Sequence, residues 1–206
     1  MDFSTFFPPN ITLETDKVKL RILQPTDTVN FHPLTQDKEL WRYFTKELNE
    51  LPQLKAWVEE AETDYASARR VPFTIIQKET GLVCGSTSYG NISFYDKRLE
   101  IGWSWLGATF RGTQINRHCK FALLQYAFET MQMERVEIKT DNLNERAKAA
   151  LVKIGATAEG VLRSHMLMPG GRRRDSIYFS IIKTEWLAIR QTIFADVAPV
   201  KVCFES

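Results

Sequence analysis

Between Leu99 and Met131 the spacing of apolar residues changes once, from alternation to steps of three and four, and the change falls within Gly107 to Asn116. Leu99 to Leu106 places Glu100, Gly102 and Ser104 on one parity and Ile101, Trp103 and Trp105 on the other, which predicts a strand. From Thr113 to about Met131, Ile115, Cys119, Ala122, Leu123, Tyr126 and Ala127 fall on one helical face. A helix start leaves backbone N–H groups unpaired and carries positive partial charge, so it favours a pyrophosphate. Gly112 permits close backbone approach there, and Arg111, Thr113 and Asn116 add donors. The same residues also suit a plain helix start capped by Thr113, because glycine punctuates turns of every kind.

The flanking sequence extends the pattern. Residues 1–16, with Pro8-Pro9-Asn10, read as an irregular arm, and Lys17 to Leu23 as a half-buried strand stopped by Pro25. Thr26 or Asp27 can cap a helix there. Leu54, Trp57, Val58, Ala61 and Tyr65 mark an amphipathic helix from Leu51 to about Arg69. Strands are predicted over Val71–Gln77 and Leu82–Ser93, so that three antiparallel strands precede the Thr113 helix. Arg135–Thr140 is a further strand, Asn144–Ile154 a helix ended by Gly155, and Pro169-Gly170-Gly171 the turn between two last strands. A final helix begins near Glu185-Trp186, and the last residues are expected to be loose. The order predicts one mixed α/β domain, α+β-like, over 17–186, with a helix and tail over 187–206.

With 206 residues the chain suffices for one substantial core. A net charge of +2 gives no overall pull towards nucleic acid or an anionic membrane. Three widely spaced cysteines (Cys84, Cys119, Cys203) and three isolated histidines (His32, His118, His165) suggest neither a disulfide framework nor a metal site. The start lacks the pattern of a signal peptide, and no apolar run approaches the ~20 residues of a membrane span, so a cytoplasmic location is expected.

From Val18 to about Trp186 the chain resembles the GNAT superfamily of N-acetyltransferases, and within it the RimJ/RimL-like branch. The resemblance is carried by Glu100-Ile101-Gly102-Trp103, Arg111-Gly112-Thr113-Gln114-Ile115-Asn116, Asn144-Glu145-Arg146-Ala147 with Ile154-Gly155, Glu159-Gly160-Val161-Leu162-Arg163, and Arg174-Asp175. It implies a central, mostly antiparallel sheet flanked by helices, with a parallel pair that splays where Trp105 and Leu106 part from the strand starting at Arg135. Acetyl-CoA would lie there as cosubstrate, with no metal. Backbone groups near Trp105 and Leu106, the loop Arg111, Gly112, Thr113, Gln114, Ile115 and Asn116, and Asn144 would hold it. Asn144 also fits a simple N-cap. Gln114 replaces a second loop glycine of the family. It is tolerable if helical, and costly if the backbone must turn left-handed.

The activity implied is transfer of an acetyl group to a primary amine: a protein or peptide N-terminal α-amine, or a small-molecule amine. Glu100 is the candidate general base, matching a strand glutamate of the family. The family's general-acid positions hold Ala147 and Leu151, neither able to donate a proton, which leaves Tyr89 or Tyr178 as substitutes if the fold brings them near. That deficit keeps a noncatalytic acyl-CoA-binding module as the alternative. Trp41 and Phe44, in the aromatic stretch Leu40–Phe44, and His165 are candidates for the acceptor cleft, although core packing suits both aromatics. The run Arg172-Arg173-Arg174 is read as a solvated turn, so no nucleic-acid or membrane partner is expected, and the protein is a monomer or a homodimer.

Overall fold

The computed structural model describes residues 2–205. Helix α1 (Phe3–Phe6) leads into β1 (Ile11–Glu14) and β2 (Val18–Ile22), then α2 (Asp27–Phe31) and α3 (Leu51–Ala66). A meander β3 (Arg70–Gln77), β4 (Val83–Ser93), β5 (Arg98–Leu106) follows, then α4 (Ile115–Gln125), β6 (Arg135–Asp141) and α5 (Glu145–Lys153). The chain ends with β7 (Thr157–Leu167), β8 (Arg173–Ile182), α6 (Lys183–Thr192) and β9 (Lys201–Phe204). One sheet runs β7-β8-β6-β5-β4-β3-β2-β1-β9. Its only parallel pair among the described residues is β5–β6.

Two apolar layers sandwich the sheet. On one face α4, α5 and α6 contribute Cys119, Leu123, Leu151 and Trp186 to a core with Leu20, Phe73, Tyr89 and Ile101. On the other, α2 and α3 bring Phe31, Leu54, Trp57 and Val58 against Leu23 and Trp105. The turn after α4, Tyr126–Thr130, winds with one extra residue per turn and buries Tyr126, Ala127 and Phe128.

The structure differs from the sequence reading at both ends. Residues 2–16 are not an irregular arm: Phe6 and Phe7 are buried, and β1 pairs with β2 from Thr12↔Arg21 to Glu14↔Lys19. The last residues are not loose, because β9 pairs antiparallel with β1 from Ile11↔Phe204 to Glu14↔Lys201. Only long-range pairing specifies β9, and four residues carry too little periodicity to announce it. The arginine run is solvated at Arg172 and Arg173 but not at its last member. Arg174 is buried, donating from Nε to Ser176 Oγ (3.0 Å) and from Nη1 to the Tyr43 carbonyl (3.4 Å), while Arg172 pairs with the buried Asp141.

Strict alternation also fails in β5. Trp103 has φ +51, and the register slips between Ser88↔Gly102 and Ser86↔Trp105. The bulge reverses parity, so that Ile101 faces the α4 layer whereas Trp105 faces the α3 layer.

Candidate active site

The parallel ladder between β5 and β6 is short. It runs from Arg98↔Arg135 to Glu100↔Glu137 and stops, while β5 continues to Leu106 beside β4 and β6 to Asp141 beside β8. Beyond Glu100 the two strands diverge into an open V, and Glu100 sits at its vertex. The bulge at Trp103 lies on β5 just past this vertex.

Glu100 is buried (3% exposed). Its Oε2 accepts from Asn91 Nδ2 and from Lys139 Nζ, each at 2.7 Å, and no protein donor among the described residues reaches Oε1. Asn91 stands at φ +49 where β4 breaks register with β5, which turns its amide onto Glu100. Lys139 comes from the polar face of β6, opposite the buried Val136 and Ile138.

From Lys139 a polar line continues over β8 and β7. Its ammonium lies 5.7 Å from the centre of the Tyr178 ring, and that ring meets His165 edge-on at 5.9 Å. His165 Nδ1 is 3.0 Å from Ser176 Oγ, which also receives Arg174. Burial, then the nearby Lys139 and Arg174 charges, hold His165 below its ordinary pKa, so it is neutral at pH 7. Glu100, Tyr178 and His165 thus belong to one cluster. Sequence reasoning missed Asn91, Lys139, Ser176 and Arg174. Lys139 stands off the core side of β6, and only the strand order sets it beside Glu100.

Tyr89 is elsewhere. It is fully buried in the α4 layer, donates to the Leu123 carbonyl (2.5 Å), and burial raises its pKa well above the ordinary value. It is not a proton donor for this site. Leu151 packs in the same core. His118 is also remote, buried between Thr15 and Asp16.

At the far end of β5 lies the loop expected to face the pyrophosphate. Gly112 takes φ +73, which favours glycine, and a Cβ there would meet nothing. Gln114 is right-handed helical (φ −70°, ψ −13°) and precedes the first helical residue, so its side chain imposes no strain. Among the described residues the backbone N–H groups of Gly112, Thr113 and Gln114 have no protein acceptor, and Ile115 N reaches only Thr113 Oγ1 (3.3 Å). Asn116 lies in the first turn of α4 beside them.

Arg111 turns inward instead, donating from Nε to the Leu106 carbonyl (3.0 Å) and from Nη1 to Asp37 Oδ2 (2.9 Å). Asn144 caps α5, its Oδ1 accepting from Ala147 N at 3.0 Å, so the carboxamide NH2 is what it retains for a ligand. Trp41 and Phe44 pack edge-on at 5.4 Å in the α3 layer and line a cavity of about 70 Å³ together with Leu48, Trp57, Trp103 and Trp105. They are therefore core residues that also line this cavity.

Residues 17–157 match the model of the acetyltransferase (GNAT) domain. A relative from Bacillus subtilis (strain 168), YdaF, named provisionally as a ribosomal N-acetyltransferase, is 25% identical over 176 residues, covering 83% of this chain and 94% of its own. A solved acetyltransferase structure from T. thermophilus is 30% identical, with a TM-score of 0.80 over 90% of this chain and 96% of that one. Mycobacterium smegmatis RimJ, solved with CoA-disulfide, shares the fold at 19% identity, with a TM-score of 0.77 over 95% and 98% of the two chains. With the β5–β6 pair and the first turn of α4 already described, the chain belongs to the acetyltransferase (GNAT) family and is an N-acetyltransferase.

Proposed function

We propose that the protein transfers the acetyl group of acetyl-CoA to the α-amine of a protein or peptide N-terminus, with Glu100 receiving the proton that the amine loses. The observation carrying this reading is the position of Glu100 at the vertex of the V, with one oxygen fixed by Asn91 and Lys139 and the other unengaged. Acetyl-CoA supplies an acetyl group activated as a thioester. The unpaired N–H groups from Gly112 to Gln114 and the N-terminal end of α4 suit its pyrophosphate, and the Asn144 amide its pantetheine arm.

A free α-amine has pKa of about 7.7–8.0 against about 10.4 for lysine, so at neutral pH far more of it is the nucleophilic free base. The carboxylate takes the remaining proton directly or through a water molecule. A thiol of pKa ~8.5 leaves as thiolate without a dedicated acid, which accommodates Ala147 and Leu151 at the family's acid positions. Tyr178, the register partner of Lys139 on β8, offers a hydroxyl in this cluster.

Free-thiol release from acetyl-CoA at pH 7, measured with peptides bearing a free α-amine and with Nα-blocked peptides bearing only lysine, tests the reading. Turnover confined to the free α-amine is expected. Saturable acetyl-CoA binding without turnover of any amine would establish the noncatalytic module instead.

A further inference from the structure

We infer that the cavity walled by Trp41, Phe44, Leu48, Trp57, Trp103 and Trp105 selects the acceptor by taking the compact, uncharged aliphatic side chain next to the reacting α-amine, and that it disfavours polyamines and bulky aromatic residues. The inference rests on the acetyl-transfer reading above for the identity of the amine.

Position comes first. Trp103, turned over by its bulge, lays its ring on the backbone of Gly90, where a Cβ would come within 2.4 Å of it. Gly90 is the register partner of Glu100. One wall of the cavity is therefore a single strand pairing away from the carboxylate, on the same side of the sheet.

Size is the second argument. The cavity holds about 70 Å³, roughly half of the ~150 Å³ that admits benzene. Its aromatic walls suit an aliphatic group of three or four carbons and are too close for a second indole. Trp41 Nε1 already donates to the Thr35 carbonyl at 2.9 Å, whereas Trp105 Nε1 is buried with no acceptor. A carbonyl oxygen of the acceptor's own backbone would satisfy that donor.

Charge is the third. Four indoles around a cavity would ordinarily invite a cation. Here the cation is built in. Arg70, 2% exposed, stacks its guanidinium 5.7 Å from the Trp57 ring and 5.2 Å from that of Trp103. Its Nε and Nη2 lack hydrogen bonds, Asp64 standing 3.2 Å from Nε but off line. At the rim Lys46 and Glu60 neutralise each other. A second cation entering beside Arg70 would meet like charge at low dielectric, which penalises spermidine and an N-terminal lysine.

Thiol release is followed with dipeptide amides beginning Ala, Val, Asp, Lys or Trp, and with spermidine. The expected result is kcat/KM at least tenfold higher for Val or Ala than for the other acceptors, and a shift of the optimum from Val to Ala in Leu48→Phe. Equal rates across the first residues, or a preference for Lys or spermidine, would overturn the inference. Where no amine turns over, the acetyl-transfer reading fails and the pocket is judged separately by tryptophan fluorescence, titrating N-acetylvalinamide against N-acetyllysinamide with CoA present. Selective quenching by the valine compound supports the pocket, and its absence rejects it.

Discussion

Lys139 spans the vertex between β5 and β6 to hold Glu100 Oε2 at 2.7 Å, its own side chain only 18% exposed and that of Glu100 4%. The two partners should respond differently to removal. Glu100→Gln keeps an oxygen for Asn91 and Lys139 but loses the proton acceptor, so kcat/KM should fall by about 10²–10⁴ with little change in stability. Lys139→Met leaves a buried carboxylate with Asn91 alone and should cost about 3 kcal/mol in urea unfolding. Finding the larger stability loss in Glu100→Gln would contradict the roles given to this pair.

Gly90 should tolerate no side chain. Its Cβ would enter the Trp103 ring at 2.4 Å, and Arg70 packs over that ring at 5.2 Å. Gly90→Ala is expected to lower stability by about 1–3 kcal/mol. It should also raise KM for the amine far more than KM for acetyl-CoA, because Trp103 walls the acceptor cavity and the phosphate loop lies at the other end of β5.

The Arg111–Asp37 pair fastens the Arg111–Asn116 loop, proposed to hold the pyrophosphate, to the segment that carries Trp41. Asp37 also caps that segment, Oδ1 accepting from Glu39 N at 3.1 Å. Asp37→Asn retains much of the cap but drops the charge. A loss of about 1 kcal/mol in CoA binding, roughly fivefold in Kd, is the expected calorimetric result. Unchanged CoA affinity would show that the loop needs no such anchor.

Tyr89→Phe and Tyr178→Phe separate a structural hydroxyl from one at the site. The first removes a buried bond to the Leu123 carbonyl and should cost ~1 kcal/mol of stability with kcat unchanged. The second leaves the core intact and should lower kcat. A fall of kcat in Tyr89→Phe at unchanged acetyl-CoA affinity would reinstate that residue as a proton donor.

Acid should destabilise the protein partly through His118. Burial lowers its pKa, outweighing the opposite pull of Asp16. The unfolded chain then binds a proton more readily than the folded one. The stabilising contribution is complete above pH ~6.5 and is lost as pH falls through the lower folded value. In His118→Gln the slope of unfolding free energy below pH 6.5 should be shallower than in the parent, as followed by denaturant titration. An unchanged slope would exclude His118 as its source.

How far the sequence foretold this arrangement depended on range. The period change across Gly107–Asn116, the helix over Leu51–Ala66 and the Pro169-Gly170-Gly171 turn are local, and local sterics and amphipathicity suffice to mark them. The resemblance supplied Glu100 and the splay, both beyond the reach of periodicity. The Trp103 bulge was hidden because alternation holds in the sequence while the backbone departs from it, a departure visible only as lost register against β4. The pairing of Lys139 was invisible for a different reason: its charge is held by a partner 39 residues away.

The four residues of β9 decide which strand forms one margin of the sheet. With Lys201–Phe204 in place the outer backbone of Ile11–Glu14 is paired, and Asn10 is tied to Glu205 through a 2.9 Å backbone bond. A proteolytic nick ahead of Lys201 would release that strip and leave β1 as an adhesive edge, free to recruit the equivalent strip of another copy. Solubility at high concentration therefore hangs on a segment far from the chemistry, and trimming it would invite strand exchange before it dulled catalysis.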